Sequence, residues 1–201
     1  MKKEATRTRL LTTGEQIFLE KGYNHTGIQE VLKSAGVPKG SFYYYFKSKE
    51  EFGLSVIEAS NAAYSAKLDG FFQDESRTPL ARLRNYFKSG IRAFEDNNFR
   101  CGCLVGNMSQ EMASQNETFR VHLNKILTGW RERFAQCLQE AQNAGEISAD
   151  WDVQVLANFC IDGWEGAIMR AKVAKSTEPM EAFISIVFDT LFTAKPSPIP
   201  A

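Results

Sequence analysis

The segment from Thr26 to Lys49, TGIQEVLKSAGVPKGSFYYYFKSK, constrains the fold most, because it predicts two short helices joined by a tight turn. Thr26 and Gln29 have the spacing of a capping box, in which each side chain bonds a backbone N–H at a helix start. Gly36 follows the first helix, where a left-handed backbone is favoured, and Pro38 suits the start of the next helix. The segment therefore predicts a helix-turn-helix.

The second helix of this pair has one anchoring face. Phe42 and Phe46 lie four residues apart, so both can pack onto the core. Cations, hydroxyls and phenols surround the rest of the helix, and such donors suit a DNA major groove and its phosphates. We therefore expect DNA contacts from Lys39, Gly40, Ser41, Tyr43, Tyr44, Tyr45 and Lys49, and a phosphate contact from Thr26 at the start of the first helix.

The charge distribution supports this expectation, although the formal net charge of the 201 residues is zero. Residues 1–49 hold nine Lys/Arg and four Asp/Glu, whereas the rest of the chain holds fifteen and twenty. A basic head on an acidic body is the asymmetry expected when one end meets phosphate. The head is too weakly basic to coat DNA unspecifically, so base reading must contribute to affinity.

The run GVPKGSFYYYFKSKEEF, residues 36–52, resembles the DNA-reading helix of the TetR family of one-component repressors. The resemblance implies an all-α fold of about nine helices, with a three-helix DNA-binding head at 1–48. It assigns residues 49–201 to a domain that binds an effector and dimerises. The implied function is a transcriptional regulator, in the repressor mode, that binds a palindromic operator as a homodimer and is released by a small effector.

Helical periodicity covers nearly the whole chain and is punctuated by recognisable caps. Ser48 and Glu51 form a second capping box, which predicts a long helix at 49–72. Thr78-Pro79 predicts another helix start, and Gly145 a helix end. The remaining predicted helices are 6–21, 104–113, 117–143, about 151–175, and 179–193.

The last two predicted helices can bury apolar surface against their own body or against a second copy of the chain. Gly163, Gly166, Ala167 and Ala171 would permit close helix approach on the first of them. The family resemblance assigns both helices to a four-helix dimer interface, in which case the apolar stripe of the last helix would be exposed in a monomer. That stripe comprises Met180, Phe183, Ile184, Val187, Phe188, Leu191 and Phe192.

The four cysteines fall into two groups. Cys103 stands at the predicted start of a short helix, after Arg100, where unpaired N–H groups favour a thiolate. Cys101 and Cys103 alone supply too few ligands for a metal site, and we expect no metal and no cofactor. Cys137 and Cys160 lie in apolar helical sequence and are expected to be core residues.

The segments GCLVGNMSQE and AKVAKSTEP resemble the NemR-like subgroup of the TetR family, whose members include electrophile-responsive repressors. The resemblance makes Cys103 the sensing thiol and Lys172 its bonding partner. Two alternatives remain open: Cys103 is a tightly packed helix start, or a small ligand binds without a covalent bond. Such a ligand would lie between the middle helices, in an apolar pocket of Met108, Trp130, Phe134, Phe159, Trp164 and Met169.

Other classes of protein fit the sequence less well. A thiol enzyme would need a base near Cys103, and the two histidines, His25 and His122, stand in the head and on a charged helix. No nucleophile elbow or phosphate loop is present, and a non-DNA scaffold would not need the basic rim. The N-terminus lacks an apolar signal core, and no run of eighteen apolar residues occurs. We therefore expect a cytoplasmic protein with reduced thiols and no membrane partner.

Overall fold

The computed structural model describes residues 2–100 and 102–193. These residues form nine α-helices and no strand, which confirms the predicted all-α class. A 3₁₀ turn, Lys39–Ser41, leads into the third helix, and a π-helical segment, Ile186–Leu191, continues the ninth. The helices are α1 (Lys2–Lys21), α2 (Ile28–Ser34), α3 (Phe42–Tyr45), α4 (Lys49–Phe72), α5 (Pro79–Asp96), α6 (Leu104–Met112), α7 (Glu117–Asn143), α8 (Val153–Ala174) and α9 (Glu178–Ser185).

The described residues divide into two compact units. The first unit takes in the residues up to Tyr64 together with Gly102–Ile126, so α6 and the start of α7 pack with α1–α3. The second unit runs from Ser65 to Arg100 and from Leu127 to Thr193. The predicted boundary at residues 48 and 49 separates functional domains rather than packing units, and it stays a prediction.

Several predicted helix ends are confirmed with their capping chemistry. The Glu51 backbone N–H donates to the Ser48 hydroxyl at 3.0 Å, and the Glu51 carboxylate accepts the Lys47 N–H at 2.8 Å. Gly36 and Gly145 are left-handed, with φ of +61° and +72°, after α2 and α7. The bounds of α4 and α7 are those that the sequence predicts. A predicted cap marks the start of α4 and the end of α7.

The predicted capping box at Thr26 is wrong. The Thr26 hydroxyl donates to the Gly22 carbonyl oxygen at 2.6 Å, four residues back along the chain. Gly27 is the N-cap of α2, which begins at Ile28 without a side-chain cap. Thr26 therefore satisfies a carbonyl at the end of α1 instead of an amide at the start of α2, and its side chain is buried.

Aromatic rings fill the core of the second unit. The Phe87 ring lies 4.8 Å from that of Trp164 and 5.3 Å from that of Phe183, measured between centroids. A methyl group on Gly163 would lie 2.6 Å from the Phe183 ring, so glycine lets α8 and α9 approach closely within one chain. Phe188 also packs against Phe87 at 6.1 Å. The middle of α5 and the face shared by α8 and α9 thus bury one apolar core.

Arg82 organises the loop between α4 and α5. Its Nη1 donates to the Phe72 carbonyl at 3.0 Å and to the Glu140 carboxylate at 2.7 Å. Its Nε donates to the carbonyls of Asp74 and Arg77, at 2.8 and 3.0 Å. The guanidinium therefore caps the end of α4, where carbonyl groups lack helical partners.

Among the described residues, no helix combines the length and the apolar character that a membrane crossing requires.

Candidate nucleic-acid interface and effector site

The predicted DNA-reading helix is anchored by its two phenylalanines. Phe42 and Phe46 are buried, and both rings pack edge-on against Phe52 of α4, at 5.6 and 4.9 Å between centroids. Tyr43 and Tyr44, on the opposite side, are 70% and 66% exposed. The helix thus presents two phenols outward on a fixed base.

The residues just before these tyrosines are also open. Lys39 and Gly40 are exposed, and no atom lies within 4 Å of the space that a side chain on Gly40 would take. Ser41 and Tyr45 are half-buried. The geometry thus leaves the 3₁₀ turn free for close backbone approach by a partner. The DNA contacts of these residues stay predictions.

Two other predicted DNA contacts have partners within the first unit. The Lys49 ammonium donates to the Asn24 carbonyl at 3.3 Å and lies 4.4 Å from the centroid of the Tyr23 ring. Burial lowers the pKa of Lys49, and the negative charge of Glu111 opposes that shift. Thr26 is 2% exposed, so its hydroxyl reaches a phosphate only if its bond to Gly22 opens.

The structure adds two cations that the sequence argument missed. The Lys3 ammonium lies 4.4 Å from the centroid of the Tyr44 ring, and the Arg7 guanidinium 5.5 Å from that of Phe46. Both residues belong to α1, about forty positions before their aromatic partners. Only the basic composition of residues 1–49 signalled them. The basic surface therefore includes the first two turns of α1.

Cys103 is the N-cap of α6, as predicted. Its sulfur accepts the Gly106 backbone N–H at 3.3 Å, and the residue is half-buried. Cys137 and Cys160 are buried, and burial raises the pKa of each thiol to about 12, which confirms that they are core residues. Cys101 lies outside the described residues. Lys172, in the last turn of α8, belongs to the second unit and Cys103 to the first, and their bond stays a prediction.

The six predicted pocket residues differ in burial. Met108, Trp130, Phe134 and Trp164 are buried, whereas Phe159 and Met169 are about half exposed. Met108 belongs to the first unit and the other five to the second, so the pocket stays a prediction. Trp164 and Phe134 both pack against Phe87, as core residues do.

A different cleft, of about 400 Å³, opens in the second unit. It is polar, because two ion pairs line it: Arg82 with Glu140 at 2.7 Å and Arg133 with Asp69 at 2.8 Å. These four charges are already paired with each other. None of the six predicted pocket residues lines it. Within the described chain, no group of three or more His, Cys, Asp or Glu residues is arranged to hold a metal ion.

The apolar stripe on the last helix faces the core, which corrects the expectation of an exposed stripe. Phe188 and Phe192 pack on each other at 5.3 Å and are buried, because Phe87 and α8 cover this face. The other buried members are Met180, Ile184 and Val187, whereas Phe183 and Leu191 are half-buried.

The exposed apolar side chains lie on α8 instead. Val155, Phe159, Met169 and Val173 are 47–72% exposed, and their spacing follows one stripe along the helix. Gly166 belongs to the same stripe, with no atom within 4 Å of its missing side chain. This stripe, here called the α8 stripe, is exposed in the described part of the chain.

Two family models match the chain. Residues 10–56 match the model of bacterial regulatory proteins of the tetR family, and residues 79–187 match a tetracyclin repressor-like C-terminal domain. The second match alone covers more than half of the chain. The protein belongs to the TetR family. It is therefore a transcriptional regulator and not an enzyme.

Relatives in this family match most of the length of the chain. The transcriptional regulator AcuR of Cereibacter sphaeroides is 45% identical over 174 residues, which cover 87% of this chain and 80% of AcuR. The repressor DhaR of Mycobacterium sp. strain GP1 is 36% identical, over 95% of this chain and 94% of DhaR. The crystal structure of reduced Escherichia coli NemR superposes with a TM-score of 0.84 at 32% identity, covering 92% and 97% of the two chains.

Proposed function

We propose that this TetR-family regulator represses transcription by binding a palindromic operator as a homodimer, and that a small effector releases it. The observation that carries the proposal is the anchored reading helix, with Phe42 and Phe46 buried and Tyr43 and Tyr44 exposed. DhaR and NemR, both named repressors, support the repressor mode. In this proposal the protein acts in the cytoplasm, where its operator DNA lies.

The DNA-contacting surface in this proposal has four parts. Lys39, Gly40 and Ser41 approach the backbone of the duplex, and Tyr43, Tyr44 and Tyr45 face the groove. Lys3 and Arg7 of α1 add phosphate contacts beside them, because their charges lie over aromatic rings of the reading helix. Lys49 contributes its charge from the start of α4.

Two copies of the chain are required for a palindrome, since two reading helices must enter successive major grooves about 34–36 Å apart. The α8 stripe supplies the surface for pairing, because its four exposed apolar side chains and Gly166 form one continuous track. A two-fold contact would bring the stripe against its own copy.

For effector sensing, we propose the Cys103 thiol, with Lys172 as its partner after modification. The sulfur already accepts an N–H at the start of α6, where the helix dipole favours negative charge. Alkylation or oxidation of the sulfur would remove this cap and add volume. The alternative is an apolar ligand that binds without a covalent bond. Treatment with an electrophile distinguishes the two hypotheses.

The experiment is a titration of fluorescent DNA from upstream of the protein's own gene, with a scrambled duplex of equal length as the control. We expect specific binding at physiological salt by the wild-type chain, and loss of binding after N-ethylmaleimide treatment. A Cys103→Ser chain should bind DNA and resist the reagent. Equal binding to both duplexes would refute sequence-specific regulation. Equal release of the wild-type and Cys103→Ser proteins would show that Cys103 is not the sensing thiol.

A further inference from the structure

The Glu111 side chain, in the last turn of α6, holds the turn between α1 and α2. Its Oε2 accepts the Tyr23 backbone N–H at 2.8 Å, and its Oε1 accepts the Asn24 backbone N–H at 2.7 Å. Both carboxylate oxygens are thus bonded to consecutive amides, 87 and 88 residues away in sequence. Successive backbone N–H groups beside a left-handed residue form a concave site for an anion, and here the anion is a side chain of the same chain.

Gly22 shapes this site in two ways. Its φ is +82°, a conformation that L-residues rarely adopt, and it turns the following two amides toward one point. A Cβ atom at position 22 would also lie 2.8 Å from the Glu111 Oε2. Glycine therefore provides both the turn and the space for the carboxylate.

The same turn is held from α4. The Asn24 carbonyl accepts a hydrogen bond from the Lys49 ammonium, and the Asn24 side-chain amide donates to Gln115 Oε1 at 3.2 Å. Tyr23 also packs its ring on Phe119 at 5.0 Å between centroids. Burial, with the negative charges of Glu50 and Glu111, raises the pKa of Tyr23 to about 12. The Asn24 backbone is therefore bonded through its N–H to α6 and through its carbonyl to α4.

We propose that Glu111 is a positioning residue through which α6 fixes the α1–α2 turn and thereby sets operator affinity. The proposal rests on the proposed function. Since α2 begins four residues after Asn24, a shift of the turn moves the start of the helix-turn-helix. α6 is a nine-residue rod with the Cys103 cap at one end and Glu111 in its last turn, so a displacement at the cap reaches the turn.

The test compares three full-length chains: wild type, Glu111→Gln and Glu117→Gln. Glutamine keeps the length of the side chain but offers one acceptor oxygen and turns an NH₂ group toward the second amide. Glu117 is the matched control, because it is exposed on α7 of the same unit and pairs with Arg120 three residues on. We expect Glu111→Gln to weaken operator binding about tenfold, the loss of roughly one charge-assisted hydrogen bond. Glu117→Gln should stay within about twofold of wild type.

Amide hydrogen exchange measured by NMR separates positioning from general loss of stability. In Glu111→Gln the amides of Tyr23 and Asn24 should exchange at least about tenfold faster, while amides in the middle of α4 should keep their wild-type rates. Unchanged operator affinity with fast exchange at these two amides would overturn the proposal, because the contact would then be broken without consequence. Fast exchange throughout the first unit would also overturn it, by showing a structural role only.

A second variant, Gly22→Ala, reaches the same contact from the other side. When Glu111 is present, the alanine methyl group at position 22 displaces its carboxylate. In a Glu111→Ala background there is no carboxylate for the methyl group to displace. We therefore expect Gly22→Ala to weaken operator binding less in the Glu111→Ala background than in wild type. Equal losses in both backgrounds would refute the coupling. If wild type itself binds no operator, the proposed function fails, whereas the exchange rates still report whether Glu111 protects the two amides.

Discussion

The indole ring of Trp164 lies against the Cα of Gly90, where a methyl group would come within 2.6 Å of the ring. We expect Gly90→Ala to lower the free energy of unfolding by about 1–3 kcal/mol, because the buried indole has no room to move. Gly70→Ala is the control: it lies in α4 with open space around it and should stabilise by up to about 1 kcal/mol. Urea unfolding of both variants measures the difference. Equal stability would mean that the ring yields freely.

Arg82 offers a second test of stability. Lysine at this position keeps the charge but cannot reach three carbonyls and the Glu140 carboxylate together, so we expect a loss of about 2–3 kcal/mol in Arg82→Lys. Arg77→Lys, at an exposed residue of the same loop, should change stability by less than about 0.5 kcal/mol. Thermal unfolding monitored by circular dichroism compares the two.

The reading helix leads to a prediction about salt dependence. Lys39→Ala should weaken operator binding and reduce the slope of log affinity against log salt by about one, since one phosphate contact is lost. Lys125→Ala removes an equally exposed lysine from α7 and should leave the slope unchanged. Anisotropy titrations at four salt concentrations give both slopes. If the slope of Lys39→Ala equals that of wild type, Lys39 does not contact a phosphate.

The α8 stripe leads to a prediction about assembly. Phe159→Asp places a charge in the proposed contact between copies, so we expect folded monomers that bind operator at least about a hundredfold more weakly. Phe188→Asp differs, because Phe188 is buried within its own chain, and this variant should be unfolded. Sedimentation velocity and circular dichroism distinguish the two results. A dimeric Phe159→Asp chain would place the interface elsewhere.

The cysteines should differ in reactivity. Burial raises the pKa of the Cys137 and Cys160 thiols to about 12, so at pH 8 both thiols stay protonated and react poorly with electrophiles. In a Cys101→Ser background, N-ethylmaleimide should therefore label Cys103 first, as peptide mass spectrometry would report. The same shifts make the folded protein less stable as pH rises from 9 to 12, because unfolded thiols lose protons there that folded ones keep. Fast labelling of Cys160 would contradict this picture.

Local signals in the sequence predicted most helix ends. The Ser48 hydroxyl accepts the Glu51 N–H at the start of α4, and the Glu51 carboxylate accepts the Lys47 N–H just before that helix. Gly36 and Gly145 adopt the left-handed conformation that ends α2 and α7. Thr26 shows where such signals fail. The sequence pattern suggested that its hydroxyl accepts a backbone N–H at the start of α2. In the structure the hydroxyl instead donates to the Gly22 carbonyl, four residues earlier.

Packing between distant segments could not be read from the sequence. The stripe of the last helix was visible as an amphipathic pattern, but the pattern does not say whether Phe87 or a second chain covers Phe188. The π-helical segment at Ile186–Leu191 likewise has no capping residue or proline that would predict it from the sequence. The bonds of Glu111 to Tyr23 and Asn24 span 87 or more residues, and only tertiary structure brings them together.

Position 22 therefore carries two requirements that differ in origin. The first is the positive φ of the turn, which belongs to the backbone and persists whatever residue stands at 111. The second is the space for a carboxylate, which exists only while Glu111 is present. We therefore expect substitutions at positions 22 and 111 to arise in a particular order during evolution. Residue 111 can change without a steric clash while glycine remains at 22, although the positioning role proposed for Glu111 gives such a change a cost in operator affinity. A side chain at 22 fits only after the carboxylate has gone, and even then only with backbone strain.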